Sequence, residues 1–143
     1  MFIRFVSNNP HPTLDAELGM FETRKDIDFS QFRGSVQKAN EEAFYWFTAA
    51  SGGGLAYPRL KGKVRTPNVR KGLFWFREDG RFFAPNSLNG KSVIDQARNL
   101  AAALRMAGCE IREIRCKDPG RIIWEDRLQV LAVPKFEKIP KAF

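Results

Sequence analysis

The stretch SVIDQARNLAAALRMAG, residues 92–108, carries the strongest structural signal in the chain. Val93, Ala97, Leu100, Ala101 and Leu104 recur at three- and four-residue spacing, which lays an apolar stripe along one face of an α-helix. Ser92 and Asp95 resemble a capping box, in which the Ser hydroxyl accepts from an open N–H of the first turn. Gly108 supplies the stop, because glycine readily takes the left-handed backbone that ends a helix. A helix with one apolar face must cover something, and the chain on both sides offers strands.

Downstream, three β-rich runs at about 110–116, 121–125 and 128–133 are separated by Asp118-Pro119-Gly120 and by Asp126-Arg127. Pro followed by Gly is the signature of a type II turn, so the expectation is an antiparallel meander closed by Pro134. Upstream, Leu73 to Phe76 is apolar on both faces, as a central strand must be. Ser35 can cap an earlier helix whose Val36, Ala39, Ala43, Trp46, Phe47 and Ala50 share a face and which Gly52-Gly53-Gly54 should end. At the start, Phe2 to Val6 reads as a short strand that the turn cluster Ser7 to Pro12 terminates. Residues 13–34 give no periodicity, although Phe21, Ile27, Phe29 and Phe32 are core anchors by type; residues 80–90 are irregular. The order β-α-β-α-β-β-β points to an α+β fold, a mixed or antiparallel sheet with two helices on one face.

The second half also resembles a family of small bacterial proteins without an established function. The resemblance rests on Trp75-Phe76, on Ala97-Arg98-Asn99-Leu100-Ala101 through Gly108, and on Pro119-Gly120, Trp124-Glu125-Asp126, Gln129-Val130, Ala132 and Pro134, with Trp46-Phe47 matching in the first helix. It implies a fold and no activity. Trp124 stands where the family usually has Tyr, residues 80–90 look inserted, and Val93 occupies the place of a His in relatives.

The length of 143 residues suits one domain spanning 1–143, with a basic Gly/Pro-containing loop at about 52–72 and a short basic tail at 134–143. The net charge of +8 is unevenly spread. Residues 1–50 hold five Lys/Arg against seven Asp/Glu, whereas residues 51–80 hold seven against two and residues 81–143 twelve against seven. A field of this kind attracts phosphate-rich or acidic partners. No apolar run approaches the roughly 20 residues of a membrane span, so no membrane partner is expected. With only two cysteines, Cys109 and Cys116, a disulfide scaffold is not indicated, and a reducing cytoplasm is the expected setting.

Catalytic and metal-binding chemistry finds little support. His11 is the only histidine and sits between two prolines, with no sequence pattern that supplies a base or orienting partner. Cys109 and Cys116 are too far apart for a zinc knuckle and read as buried small hydrophobes. Glu125-Asp126 is an adjacent acidic pair on a tight turn, which a metal or an acid/base pair can use but which a hairpin turn explains. Gly52-Gly53-Gly54 follows a helix and lacks the Lys-Ser/Thr of a phosphate-binding loop. Lys71-Gly72-Leu73-Phe74-Trp75-Phe76 matches the aromatic strand of RNA-recognition motifs for two positions only, so its rings read as core. No catalytic residue, metal ligand or cofactor is therefore assigned.

What remains is the basic stretch: Arg59, Lys61, Lys63, Arg65, Arg70 and Lys71 lie within 13 residues, and no acidic residue interrupts them between Ser51 and Arg77. Together with Arg77 and Arg81 they form the candidate contact set for a phosphate backbone. The expected function is a non-enzymatic domain that binds nucleic acid, DNA or RNA. The alternative is a protein-interaction module that docks on an acidic partner, such as a small accessory or inhibitor protein of phages and mobile elements.

Overall fold

The computed structural model describes residues 1–12, 14, 16–25, 27, 34–45, 47, 72–81 and 92–134. Within them the elements run β1 (Phe2–Pro10), β2 (Glu17–Gly19), α1 (Met20–Lys25), α2 (Ser35–Tyr45), β3 (Leu73–Arg77), α3 (Val93–Met106), β4 (Arg112–Cys116), β5 (Arg121–Glu125) and β6 (Gln129–Val133). The fold is α+β, with six strands in one sheet whose pairings are all antiparallel.

α3 forms for the reasons its sequence gives. The Ser92 side chain accepts from the Asp95 N–H at the N-terminus. At the other end Gly108 takes φ +91°, and the N–H groups of Gly108 and Cys109 reach back to the carbonyls of Arg105 and Leu104, the double bond of a Schellman cap. Its buried stripe packs on Ile3, Phe5 and Phe76, with Met20 of α1 and Phe47 in the same cluster.

Three expectations need correction. β1 does not stop at Ser7 but continues to Pro10, because its polar second half is an edge that β2 covers from Gly19 to Glu17. The unassigned region before Ser35 contains both β2 and α1, three and six residues long, too short for periodicity to register. Third, β4, β5 and β6 are not a meander. β5 pairs with β6, but β4 pairs with β1 from Phe2↔Cys116 to Val6↔Arg112. Turn chemistry specifies only that the chain bends at Pro119-Gly120, whereas β1, apolar on both faces, takes the central place and with it the partner the turn suggested for β5.

Val6 is partnered by Gly19 and Arg112, and Ile3 by Phe76 and Arg115. β4 thus lies along one side of β1, while β3 and β2 share the other. β4 and β5 end up parallel at opposite edges, yet only residues 117–120 join them. In a flat sheet the link would have to cross four strand spacings of about 4.8 Å and a strand length of about 13 Å, roughly 23 Å together. Five Cα steps reach only about 19 Å. The sheet therefore coils, and it coils around the face opposite the helices: Ile114 of β4 belongs to one packed cluster with Trp75 of β3 and Val130 and Ala132 of β6. Pro119 in the link is buried, and Gly120, at φ +115°, lies so close that a Cβ would stand 2.1 Å from the Val133 carbonyl oxygen.

Candidate functional site

Of the eight candidate contacts, Arg59, Lys61, Lys63, Arg65, Arg70 and Lys71 lie outside the described residues, as do most of the expected 52–72 loop and 134–143 tail. What the structure describes is where those stretches join the fold. Lys71 is followed by Gly72, and a Cβ on Gly72 would meet the Ala132 carbonyl oxygen at 3.0 Å. Leu73 pairs with Ala132 on β6, which ends at Val133; Pro134 follows, and after it the stretch of chain that carries Lys135, Lys138 and Lys141. The antiparallel pairing of β3 with β6 brings the end of one basic stretch and the start of the other to the same end of the sheet. Arg121, opposite Val133 at the start of β5, is exposed at that end.

Arg77 and Arg81 are at the other end of β3. They line an open cleft of about 530 Å³ with Asp79, Glu125, Asp126 and Arg127, three guanidinium groups against three carboxylates. Arg77 is committed within the fold: its Nε donates to the Asp126 carbonyl at 2.8 Å, its Nη2 meets Glu125 Oε2 at 2.5 Å, and its guanidinium stands 5.9 Å from the Phe2 ring centre. Arg81 is exposed and bridges to Ser92 through the backbone. Of the eight residues, the described Arg77 and Arg81 thus sit at a charge-balanced end of β3.

The acidic pair at 125–126 is occupied. Asp126 Oδ1 accepts from the N–H groups of Leu128 and Gln129 at 2.8 and 2.9 Å, and Glu125 holds Arg77. Among the described residues no group of three or more His, Cys, Asp or Glu side chains is placed to hold a metal ion. His11 uses Nδ1 to accept from the Leu14 N–H at 3.1 Å, and burial followed by the nearby Arg4 charge pushes its pKa below the ordinary value. Both cysteines are free and half-buried, less enclosed than their residue type suggested. Burial raises the Cys109 thiol pKa, and Cys116 Sγ contacts the Asp118 carbonyl oxygen at 3.0 Å.

Sequence reasoning missed Arg4. It sits only 5% exposed in the coiled face, 5.9 Å from the Trp75 ring centre, and donates through Nη2 to the Glu17 carbonyl at 2.8 Å. Burial lowers its pKa to about 10, opposed by the charges of Glu22 and Glu17. The signal was available, since a lone Arg in Phe2-Ile3-Arg4-Phe5-Val6 must point into one of two apolar faces.

The described residues therefore define an α+β fold with a coiled antiparallel sheet. No family model matches the chain, and neither a curated protein nor a solved structure matches it. Among the described residues no helix is long and apolar enough to cross a membrane.

Proposed function

We propose that the protein is a non-enzymatic binding domain that contacts nucleic acid through the basic stretch Arg59 to Lys71. The observation that carries this reading is the junction at Gly72 and Pro134: antiparallel pairing of Leu73 with Ala132 joins that stretch and the Lys-bearing C-terminal tail to one end of the sheet, beside Arg121. Cations gathered at one end neutralise neighbouring phosphates together, and each neutralised phosphate releases counterions. Arg77 and Arg81 contribute at most a flank, because Asp79, Glu125 and Asp126 balance them. A cytoplasmic setting, where both thiols stay reduced, fits the reading.

The test is equilibrium binding of labelled DNA and RNA oligonucleotides as a function of salt. The expected result is a linear fall of log affinity with log salt whose slope corresponds to several phosphate contacts. Absence of binding to any of these polymers at low salt refutes the reading. In that case a protein recovered stoichiometrically with the chain would identify a docking module.

A further inference from the structure

The register of β5 contains a bulge. Arg121 pairs with Val133 and Ile122 with Ala132, but the next residue of β6, Leu131, faces Trp124 and not Ile123. The extra residue puts Arg121 and Trp124, three apart in sequence, on the same face of the sheet. Phe74 of β3, which also pairs with Leu131, shares that face and packs edge-on against Trp124 with ring centres 6.2 Å apart. Phe76, further along the same face, is covered by the helix cluster, whereas Phe74 and Trp124 are each half-buried and Arg121 is exposed. Glu125, the next residue, faces the other way and is held by Arg77, so its carboxylate is drawn from the ring pair.

We propose that the Trp124 ring, backed by Phe74, is a stacking platform for a base of a single-stranded nucleic acid, with Arg121 taking an adjacent phosphate. This rests on the binding reading above and names its ligand as a single strand, not a duplex. A ring face attracts any base whose own face is free, and in a duplex those faces are already stacked on one another. Charge complementarity chooses this occupant over an apolar protein surface. The platform lies at the sheet end where both basic stretches join, Phe74 two residues after Gly72 and Arg121 opposite the residue before Pro134.

The experiment compares an oligothymidylate with a duplex of equal length, using the full chain and its W124A, W124F and R121E variants. The single strand is expected to bind about tenfold tighter than the duplex and to quench tryptophan fluorescence; W124A should lose about tenfold in affinity with an unchanged salt slope. R121E should weaken binding and flatten that slope by about one unit. W124F preserves an aromatic ring against Phe74, so it should keep most of the affinity while losing the quench, and it decides the matter if W124A fails to fold. Equal affinity for both polymers, or a quench that persists in W124F, overturns the platform while leaving phosphate binding intact. No binding to either polymer overturns both readings.

Discussion

Asn40 on α2 donates its side-chain amide to the carbonyl of Ala103 on α3 at 2.9 Å, and to Val36 of its own helix at the same distance, from a site only 1% exposed. The Val36, Ala39 and Ala43 stripe expected to bury α2 is in fact half-buried, and the polar Asn40 is the helix residue most enclosed.

Replacing Asn40 with Ala is therefore expected to cost about 1–3 kcal/mol, the range for removing a buried hydrogen-bonded group. Asn40→Asp should cost more at neutral pH, because a carboxylate cannot donate to two carbonyls, and should recover partly in acid when an O–H is restored. Urea denaturation at pH 7 and pH 4 reads both. An Asn40→Ala variant as stable as the unaltered protein would show that the amide donors do not matter.

The close approach at Gly120 makes a second prediction. Gly108 and Gly120 both have positive φ, +91° and +115°, but nothing lies within 4 Å of a Cβ at Gly108. Gly108→Ala should cost only the backbone strain, about 1–2 kcal/mol. Gly120→Ala adds a clash with the Val133 carbonyl and should cost clearly more, because the 117–120 link has no spare length with which to move away. Thermal melting of the two variants ranks them, and a milder effect at Gly120 would contradict the coiled sheet.

The fold class, α3 with both caps, the central place of β3 and the β5–β6 hairpin were legible because each is written in local pattern: a 3.6-residue stripe, Ser92 and Gly108 at its ends, an apolar run, and Asp126 in a turn. The partner of β4 was not. Its choice between β1 and β5 is decided by how two apolar faces are buried at once, and a turn signal carries no information on that. The bulge that turns Trp124 toward Phe74 escaped for the same reason, whereas the buried Arg4 was legible as a lone Arg in an apolar strand. Of the contact set, its chemistry was legible as charge, but the carboxylates that balance Arg77 and Arg81 come from elsewhere in the chain and could not be placed beside them from sequence.

The ion pairs on the helix side of the sheet give a pH dependence. Arg98 binds Glu113 through Nε at 2.8 Å and Nη2 at 3.1 Å, and that bond, ahead of the opposing effect of burial, holds the Glu113 carboxyl below its ordinary 4.5. A depressed carboxylate stabilises the fold above its unfolded pKa, and the stabilisation fades as pH falls through the folded one. The loss therefore falls below pH 4.5. Arg98 is 47% exposed, so solvent screening limits the contribution to about 0.5–1 kcal/mol. Glu113→Gln should lower stability at pH 7 by that amount and flatten the acid limb of the stability curve. An unchanged acid limb would exclude the pair as its source.

Charge reversal separates the basic stretch from the balanced cleft at Arg77. Lys61, Lys63 and Arg65 changed to Glu should weaken nucleic-acid binding by orders of magnitude and reduce the salt slope by roughly one unit per lost contact. Arg77→Gln is expected to do the reverse. Its guanidinium holds Glu125 and the Asp126 carbonyl, so its loss should lower the melting temperature while leaving affinity nearly unchanged. Arg81→Glu, at a cleft where three carboxylates already face three guanidinium groups, should move affinity far less than any one reversal in the basic stretch. An acidic protein partner would respond to the triple change with a gentler slope and without competition from bulk DNA. If affinity for every nucleic acid survives the triple change at an unaltered melting temperature, the phosphate contacts lie elsewhere. If Arg77→Gln abolishes binding in a chain of normal stability, the balanced cleft and not the basic stretch is the site.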